Sequence, residues 1–361
     1  MAALTGAAQA GAAPNSAFWR GKRVLVTGHT GFKGAWASIW LSRLGAQVTG
    51  LALPPDQAPN LFDLAGVAGL MDSRLADIRD PAALEAAIGG QRFDLVLHMA
   101  AQAIVRTSVE DPIGTFATNV MGTAHLLQAL RGQDALQAVL VITSDKVYAN
   151  NDAGRAFVEG DPLGGKDPYS ASKAAAEIVV QSFARSYFPR VLVGSARGGN
   201  VIGGGDFSRD RLVADIVRAA RAGEAVVLRH PEATRPWQHV LDCLAGYFTL
   251  LEALATRPDA PRAVNFGPRP GGPEVTVGEL AALGVAALGG RPWIHEPDPT
   301  SLEATALSID AGLARRALGF ESRLDAPQAV ALTMDWYARQ AAGEDPLQLC
   351  VEQIERYEAR A

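Results

Sequence analysis

Two short stretches of the sequence carry side chains that could move protons in concert. In Thr143-Ser144-Asp145-Lys146 two hydroxyls, a carboxylate and an amine follow one another directly. In Tyr169-Ser170-Ala171-Ser172-Lys173 a phenol and an amine stand four residues apart, which on a helix places them on one face. A lysine beside a tyrosine can lower the phenol's pKa and let it act as a base near neutral pH. A carboxylate next to an amine supplies an acid and a base for a second proton transfer. Taken singly each stretch is ordinary: the first could be a polar exit from a strand, the second a surface pair.

The elements around them change that reading. Residues 139–142 are apolar and largely β-branched, as in a central strand of a parallel sheet. Ligands of open α/β sheets bind just beyond the carboxyl ends of such strands, where 143–146 fall. Residues 168–188 read as a helix with Tyr169 in its first turn. Near the start, 22–27 form a short apolar strand, followed by Gly28-His29-Thr30-Gly31-Phe32-Lys33-Gly34 and a helix to about residue 44. Gly28 allows a tight turn, Gly31 lets the backbone approach a pyrophosphate, and Gly34 lets the helix pack closely on the strand. The helix N-terminus then faces the phosphate charge. A dinucleotide site joined to a Tyr/Lys pair points to a nicotinamide redox centre with an additional acid/base pair.

The remaining segments supply candidate contacts. The second strand, 47–53, ends in Leu53-Pro54-Pro55, without the acid that commonly holds the ribose 2′-hydroxyl. It also lacks an arginine for a 2′-phosphate, which favours NAD over NADP. A third strand ends near Leu75; Asp77 is a candidate acceptor for the adenine amine, and Asp80 suits the cap of a helix opened by Pro81. A fourth strand from residue 93 leaves through Ala100-Ala101-Gln102, small enough at the two alanines for close passage of a cofactor. His98 reads as a core histidine. A helix over 112–130 carries Asn119, a polar residue among apolar ones that could bridge backbone to cofactor. After a sixth strand, 191–196, the run Arg197 to Asp206 is too glycine-rich for helix or strand and reads as a flexible phosphate or sugar cradle. A helix over 209–222 follows, then Arg235 beside Pro236 and Trp237, where a guanidinium suits a phosphate. The glycine- and proline-rich 268–273 is a loop. The rest alternates short helices and strands with few chemical clusters, as a substrate-binding lobe would.

Composition bounds these readings. The sequence has 361 residues, 48% hydrophobic and 20% charged, with a formal net charge of −5. That fits a soluble enzyme of one large or two coupled domains and gives no support for nucleic acid or an anionic membrane as a bulk partner. Two distant cysteines, Cys243 and Cys350, argue against a disulfide framework and a zinc site and fit a reducing, cytoplasmic setting with no metal. No run is apolar enough for a membrane span. Residues 1–17 are alanine- and glycine-rich, read as a disordered tail rather than a signal peptide.

These pieces resemble the extended short-chain dehydrogenase/reductase family of nucleotide-sugar enzymes, from Phe18 onward. Val26-Thr27-Gly28-His29-Thr30-Gly31-Phe32-Lys33-Gly34, His98-Met99-Ala100-Ala101-Gln102 and Thr118-Asn119-Val120-Met121-Gly122-Thr123 look most like its CDP-glucose 4,6-dehydratase group. So do Ile142-Thr143-Ser144-Asp145-Lys146, Asn200-Val201-Ile202-Gly203-Gly204-Gly205-Asp206 and Arg235-Pro236-Trp237-Gln238-His239-Val240. Lys146 stands where dTDP-glucose dehydratases have glutamate, and Phe207 where tryptophan is usual. The resemblance implies an α/β fold, a Rossmann-type doubly wound parallel sheet with a smaller C-terminal α/β substrate-binding lobe. The dinucleotide domain would span 18–197 with 239–267 returning to it, and the sugar-nucleotide lobe would be mainly 198–361.

It implies NAD held by Gly28, Thr30, Gly31, Phe32, Lys33, Gly34, Asp77, Ile78, Ala100, Ala101, Gln102, Asn119, Thr143, Tyr169 and Lys173. It places CDP-glucose against Arg106, Asn200, Asp206, Arg211 and Arg235. Ser144, Asp145, Lys146, Tyr169 and Lys173 would be the catalytic set: Tyr169 the base at C4, Ser144 or Thr143 a hydrogen-bond relay, Asp145 the acid at C6 and Lys146, neutral through burial, the base at C5. A homodimer or dimer of dimers would form through the helices 112–130 and 168–188, burying Leu126, Leu127, Ile178 and Val179. A 4-epimerase shares all but the Asp145/Lys146 pair, and a non-catalytic dinucleotide sensor would need neither Tyr169 nor Lys173.

Overall fold

The computed structural model describes residues 13–150, 154–269, 271–272, 274–297 and 307–360. Its strands are β1 (Arg23–Thr27), β2 (Gln47–Ala52), β3 (Asp72–Leu75), β4 (Leu95–His98), β5 (Ala138–Ile142), β6 (Leu192–Gly198), β7 (Val201–Ile202), β8 (Ala225–Leu228), β9 (Gln238–His239), β10 (Ala263–Phe266) and β11 (Arg291–His295). The helices of the first half are α1 (Ser16–Trp19), α2 (Phe32–Arg43), α3 (Leu61–Leu64), α4 (Pro81–Ile88), α5 (Val105–Glu110), α6 (Pro112–Phe116), α7 (Gly122–Ala129) and α8 (Pro168–Tyr187). The second half adds α9 (Leu212–Ala222), α10 (Val240–Thr256), α11 (Val277–Leu288), α12 (Ala326–Ala341) and α13 (Pro346–Glu358).

Seven strands make one sheet in the order β10-β6-β5-β4-β1-β2-β3, every neighbouring pair parallel. The chain reverses direction across the sheet between β1 and β4, the position at which doubly wound sheets open a crevice for ligands. Helices cover both faces, so the strands are apolar throughout rather than alternating. Side chains at even and odd positions go to opposite layers. Val24, Val26, Leu140 and Ile142 join the core that includes α2, α10 and α13, while Leu25, Val139 and Val141 join the one formed with α4, α7 and α8. A second, smaller body is built on the parallel pair β8–β11 with α9, α11 and α12 packed about it. β7 and β9 form a separate two-stranded pair at the carboxyl edge of the main sheet. Among the described residues no helix is long and apolar enough to cross a membrane.

The structure departs from the sequence reading at several places. Residues 1–12 of the expected tail lie outside the described residues, but 13–17 do not trail free. Asn15 caps α1, and Trp19 is fully buried with its indole N–H donated to Glu252. The sixth strand runs on through Arg197 and Gly198 because β10 pairs with it over Ala263–Phe266. The helix expected over 112–130 is interrupted at Ala117–Met121 by a π turn that includes Asn119, and a short helix, α5, precedes it. The helix expected from residue 209 begins at Leu212, leaving Arg211 as its cap and Asp210 at φ 58°. The glycines at 203–205 do not make a flexible cradle. A Cβ on Gly204 would lie 2.1 Å from Trp336 Cγ, and Trp36 and Tyr337 donate hydrogen bonds to the carbonyls of Gly204 and Asp206. Gly203 is pressed by Val240 of α10 and Phe32 of α2, Gly204 by Trp336 of α12, and Gly205 has φ 84° against Leu61 of α3.

Candidate active site

A cavity of about 660 Å³ opens at the carboxyl ends of β4, β5 and β6, between the main sheet and the smaller body. Local sequence fixes the two reactive stretches on its wall. β5 ends at Ile142, and Ser144 caps a single 3-10 turn, Asp145–Val147, by accepting from the Lys146 N–H at 3.2 Å. On the other side α8 starts in register because Asp167 accepts from the Ser170 N–H and hydroxyl, Pro168 fills the first helical position, and Ser108 accepts from the Tyr169 N–H. Tyr169 and Lys173 therefore leave the same face of α8 toward the end of β5.

Ser144, Asp145, Lys146, Tyr169 and Lys173 all line this one cavity. The Ser144 hydroxyl donates to Asp145 Oδ1 at 3.0 Å and stands close enough to the Tyr169 phenol to favour its ionised form. Asp145 is 1% exposed, and its Oδ2 has no hydrogen-bond partner among the described residues, an unusual state for a buried carboxylate. The Lys146 Nζ is 3.7 Å from Asp145, and its side chain is 27% exposed, less buried than the sequence reading expects. Lys173 is buried and donates to the Ile142 carbonyl at 3.1 Å. Burial lowers its pKa to about 7, with Lys33 pushing the same way and Glu177 opposing. Burial also raises the Tyr169 phenol, against the pull of the Ser144 hydroxyl. Desolvation thus outweighs the lysine-induced lowering expected from the sequence.

The expected substrate residues Arg106, Asn200, Asp206, Arg211 and Arg235 line the same cavity, as do Phe32, Lys33, Ala101 and Thr143 of the cofactor set. Thr143 directs its hydroxyl to Glu177 at 2.7 Å, so of the two candidate relays Ser144 is the one left near the phenol. Asn119 and Gln102 are not on the cavity wall. The Asn119 amide accepts from the Gln102 N–H and donates to the Gln102 carbonyl and the Ser172 hydroxyl. These bonds tie the β4 exit to α8. Asp77 meets Arg79 in a 2.6 Å ion pair, and Ile78 is buried against Gly122, both beyond the cavity. Ala100 gives its N–H to Thr27, while His98 hydrogen-bonds Thr27 and Thr123 in the core.

The glycine turn fits a dinucleotide. Gly28 has φ 77°, and a Cβ there would lie 2.7 Å from the Ala100 nitrogen. A Cβ on Gly34 would lie 2.0 Å from the Gly28 carbonyl oxygen, whereas Gly31 is exposed with its nearest such neighbour at 3.5 Å. The Thr30 hydroxyl donates to the Leu53 carbonyl and pins the turn to the end of β2. The N-terminus of α2 is left facing open space, the arrangement that receives a pyrophosphate.

Charge separates this cavity from the rest of the surface. Eight cationic side chains line it against five carboxylates, in a protein of net charge −5. The sequence has only five lysines among its 33 basic residues, and four of them, Lys33, Lys146, Lys166 and Lys173, are on this wall. A field of this sign concentrates an anionic ligand such as a sugar diphosphate. Sequence reasoning missed the buried ion pair behind the wall, in which Arg197 clamps Glu177. Its signal was available in part: Glu177 lies four residues beyond Lys173, on the same helical face.

The NAD dependent epimerase/dehydratase family model matches residues 24–267. A CDP-glucose 4,6-dehydratase from Salmonella typhimurium is 40% identical over 350 residues, covering 94% of this chain and 97% of that one. Among solved structures, a dTDP-glucose 4,6-dehydratase from Streptomyces venezuelae with NAD bound superposes with a TM-score of 0.75 at 27% identity, covering 90% and 99% of the two chains. A Thermus thermophilus UDP-glucose 4-epimerase in complex with NAD gives 0.76 at 26% identity, covering 88% and 99%.

Proposed function

The chain belongs to the NAD dependent epimerase/dehydratase family, and from that premise we propose that it is a hydro-lyase converting CDP-glucose to CDP-4-keto-6-deoxyglucose. The observation that carries this over epimerisation is Asp145. It is a buried carboxylate with one oxygen unpartnered among the described residues, next to Lys146 and in the same cavity as Tyr169. A 4-epimerase has no step at C5 or C6 and no use for such a pair.

NAD, when bound, takes the hydrogen from C4 and returns it at C6. Tyr169 accepts the C4 hydroxyl proton, with the Ser144 hydroxyl beside its phenol. The resulting C4 ketone acidifies the C5–H. Lys146, acting in its unprotonated form, removes that proton, Asp145 protonates the departing C6 hydroxyl, which leaves as water, and a proton returns to C5 when C6 has received its hydrogen. Lys173 steadies the end of β5 and holds the cofactor's ribose. Gly28, Gly31 and Gly34 admit the pyrophosphate, and Phe32, Lys33 and Ala101 border the nicotinamide end. Arg106, Arg211 and Arg235 hold the substrate diphosphate, with Asn200 and Asp206 toward the sugar. The smaller body on β8–β11, with α9, α11 and α12, is the sugar-nucleotide lobe.

The protein acts in the cytoplasm, consistent with its two buried free cysteines, and its product feeds deoxysugar or O-antigen synthesis. It works as a homodimer or a dimer of dimers. The supporting face differs from the one read in the sequence. Leu126 and Leu127 are fully buried in their own core, while Ile113, Phe116, Met121 and Ile178 of the same helical layer are 77%, 37%, 50% and 59% exposed. Large apolar side chains gathered on one face mark an interface.

Turnover compared across CDP-, dTDP-, GDP- and UDP-glucose tests the proposal. The expected result is an alkali-absorbing 4-keto product from CDP-glucose above all others. Appearance of the C4 epimer without that product overturns it in favour of an epimerase, and no turnover of any of the four overturns it in favour of a sensor.

A further inference from the structure

Behind the cavity wall, Glu177 is fully buried and faces two functional segments at once. Its Oε1 accepts from the Thr143 hydroxyl at 2.7 Å and from Arg197 Nε at 2.7 Å, and its Oε2 takes a short bond from Arg197 Nη2. Arg197, 2% exposed, donates onward to the Tyr148 phenol at 2.8 Å, and that phenol donates to Asn265 on β10 at 2.6 Å. On α8, Lys173 and Glu177 are four residues apart and grip successive residues of β5 and its exit: Lys173 the Ile142 carbonyl, Glu177 the Thr143 hydroxyl.

Stability is a weak reason for such a pair, because well-packed apolar side chains of similar volume commonly serve as well or better. What apolar packing cannot supply is a hydroxyl acceptor for Thr143 and a negative charge one helical turn from Lys173. Resting on the reading of this cavity as a dehydratase site, we propose that Glu177, clamped by Arg197, is a positioning residue. It orients the end of β5 that presents Ser144 and Asp145, and it holds the positive charge of Lys173. The groups that act on Lys173 are few and come from three elements. Lys33 on α2 and the core His98 on β4 are the others near it, and Lys33 disfavours its charge while Glu177 favours it.

The test is Glu177→Gln, read in two ways. In the cofactor-free protein, 13Cε-lysine NMR follows Lys173 directly: with five lysines in the sequence, its signal is assigned by its loss in Lys173→Met. The proposal expects its titration midpoint to move to lower pH in Glu177→Gln, because the carboxylate that favoured the ammonium is gone. In turnover of CDP-glucose, kcat should fall by roughly tenfold or more, KM should hold, and the alkaline limb of the kcat profile should shift the same way. An unmoved NMR midpoint overturns the charge-holding role whatever the activity.

Thr143→Val separates orientation from charge and leaves the Glu177–Arg197 pair intact, so it also serves if Glu177→Gln fails to fold. It should lower kcat several-fold at unchanged KM and thermal midpoint, with Thr143→Ser restoring the rate; wild-type kcat in Thr143→Val overturns the orienting role. Absence of turnover in the parent protein would sink the dehydratase reading and leave the NMR result standing on its own.

Discussion

At Lys173 two requirements pull against each other. The ammonium is useful where it stands, yet burial brings its pKa from 10.5 down to about 7. A folded-state value below the unfolded one means that the stability associated with the neutral form is present above pH 10.5 and is lost as pH falls through about 7. Lys173→Met removes the group that suffers this loss. It should unfold at higher urea concentration than the parent at pH 7, by on the order of a few kcal/mol, with the gap closing toward pH 10.5. An equal midpoint across that range would mean that the lysine is not strained. Tyr169→Phe keeps the ring and removes the acid/base atom. Its kcat should drop by roughly 10²–10⁴-fold while the dissociation constant for CDP-glucose, measured calorimetrically, stays within about twofold. Asp145 and Lys146 are separable because they act on different atoms. Lys146→Met should abolish entry of solvent deuterium at C5 along with product, whereas Asp145→Asn should slow loss of the C6 hydroxyl and let C5 exchange persist. Normal product formation by Lys146→Met would remove it from the mechanism.

Strand, turn and helix at the start of the sheet form the element most sensitive to a single methyl group. β1 delivers Gly28 into a left-handed conformation, and α2 begins so close to it that a Cβ on Gly34 would overlap the Gly28 carbonyl at 2.0 Å. Gly34→Ala must push the helix away from the turn, which moves the N–H groups that face the pyrophosphate. NAD affinity should fall by about tenfold or more, a loss of roughly 1.4 kcal/mol, seen by titration of the cofactor-free protein. Gly69→Ala, where a Cβ meets nothing within 4 Å, should bind NAD as the parent does. Equal affinities in the two variants would show that the turn tolerates displacement.

At the scale of the whole molecule the proposed partner is a second copy of this chain. The helical layer of α6, α7 and α8 covers one face of the sheet with its inner residues and turns Ile113, Phe116, Met121 and Ile178 outward. The double variant Ile113→Glu, Ile178→Glu should sediment at half the parent's mass at micromolar concentration, since two charges on each copy oppose burial of that face. Retention of the dimeric mass would place the interface elsewhere, and a monomeric parent would remove the dimer altogether.

The doubly wound order, the glycine turn and the gathering of Tyr169, Lys173 and Asp145 at one sheet edge follow from local signals. Buried parallel strands are written as continuous apolar runs, φ-positive turns as glycine, and helix faces as residues four apart, each of which is legible within a dozen positions. The tertiary structure alone decided which polar groups face the cavity and which face one another. Ser144 rather than Thr143 is left near the phenol because successive residues leaving β5 point to opposite sides, and Glu177 lies on only one of them. Lys33, written into the cofactor turn, shares a cavity wall with Asp145 because the parallel strands β1 and β5 end at the same edge of the sheet. Gly204 reads as part of a flexible loop in sequence, but the tryptophan that explains it, Trp336, is more than a hundred residues away. Partnerships across such separations depend on how the helices stack on the sheet, and no local pattern of residues carries that information.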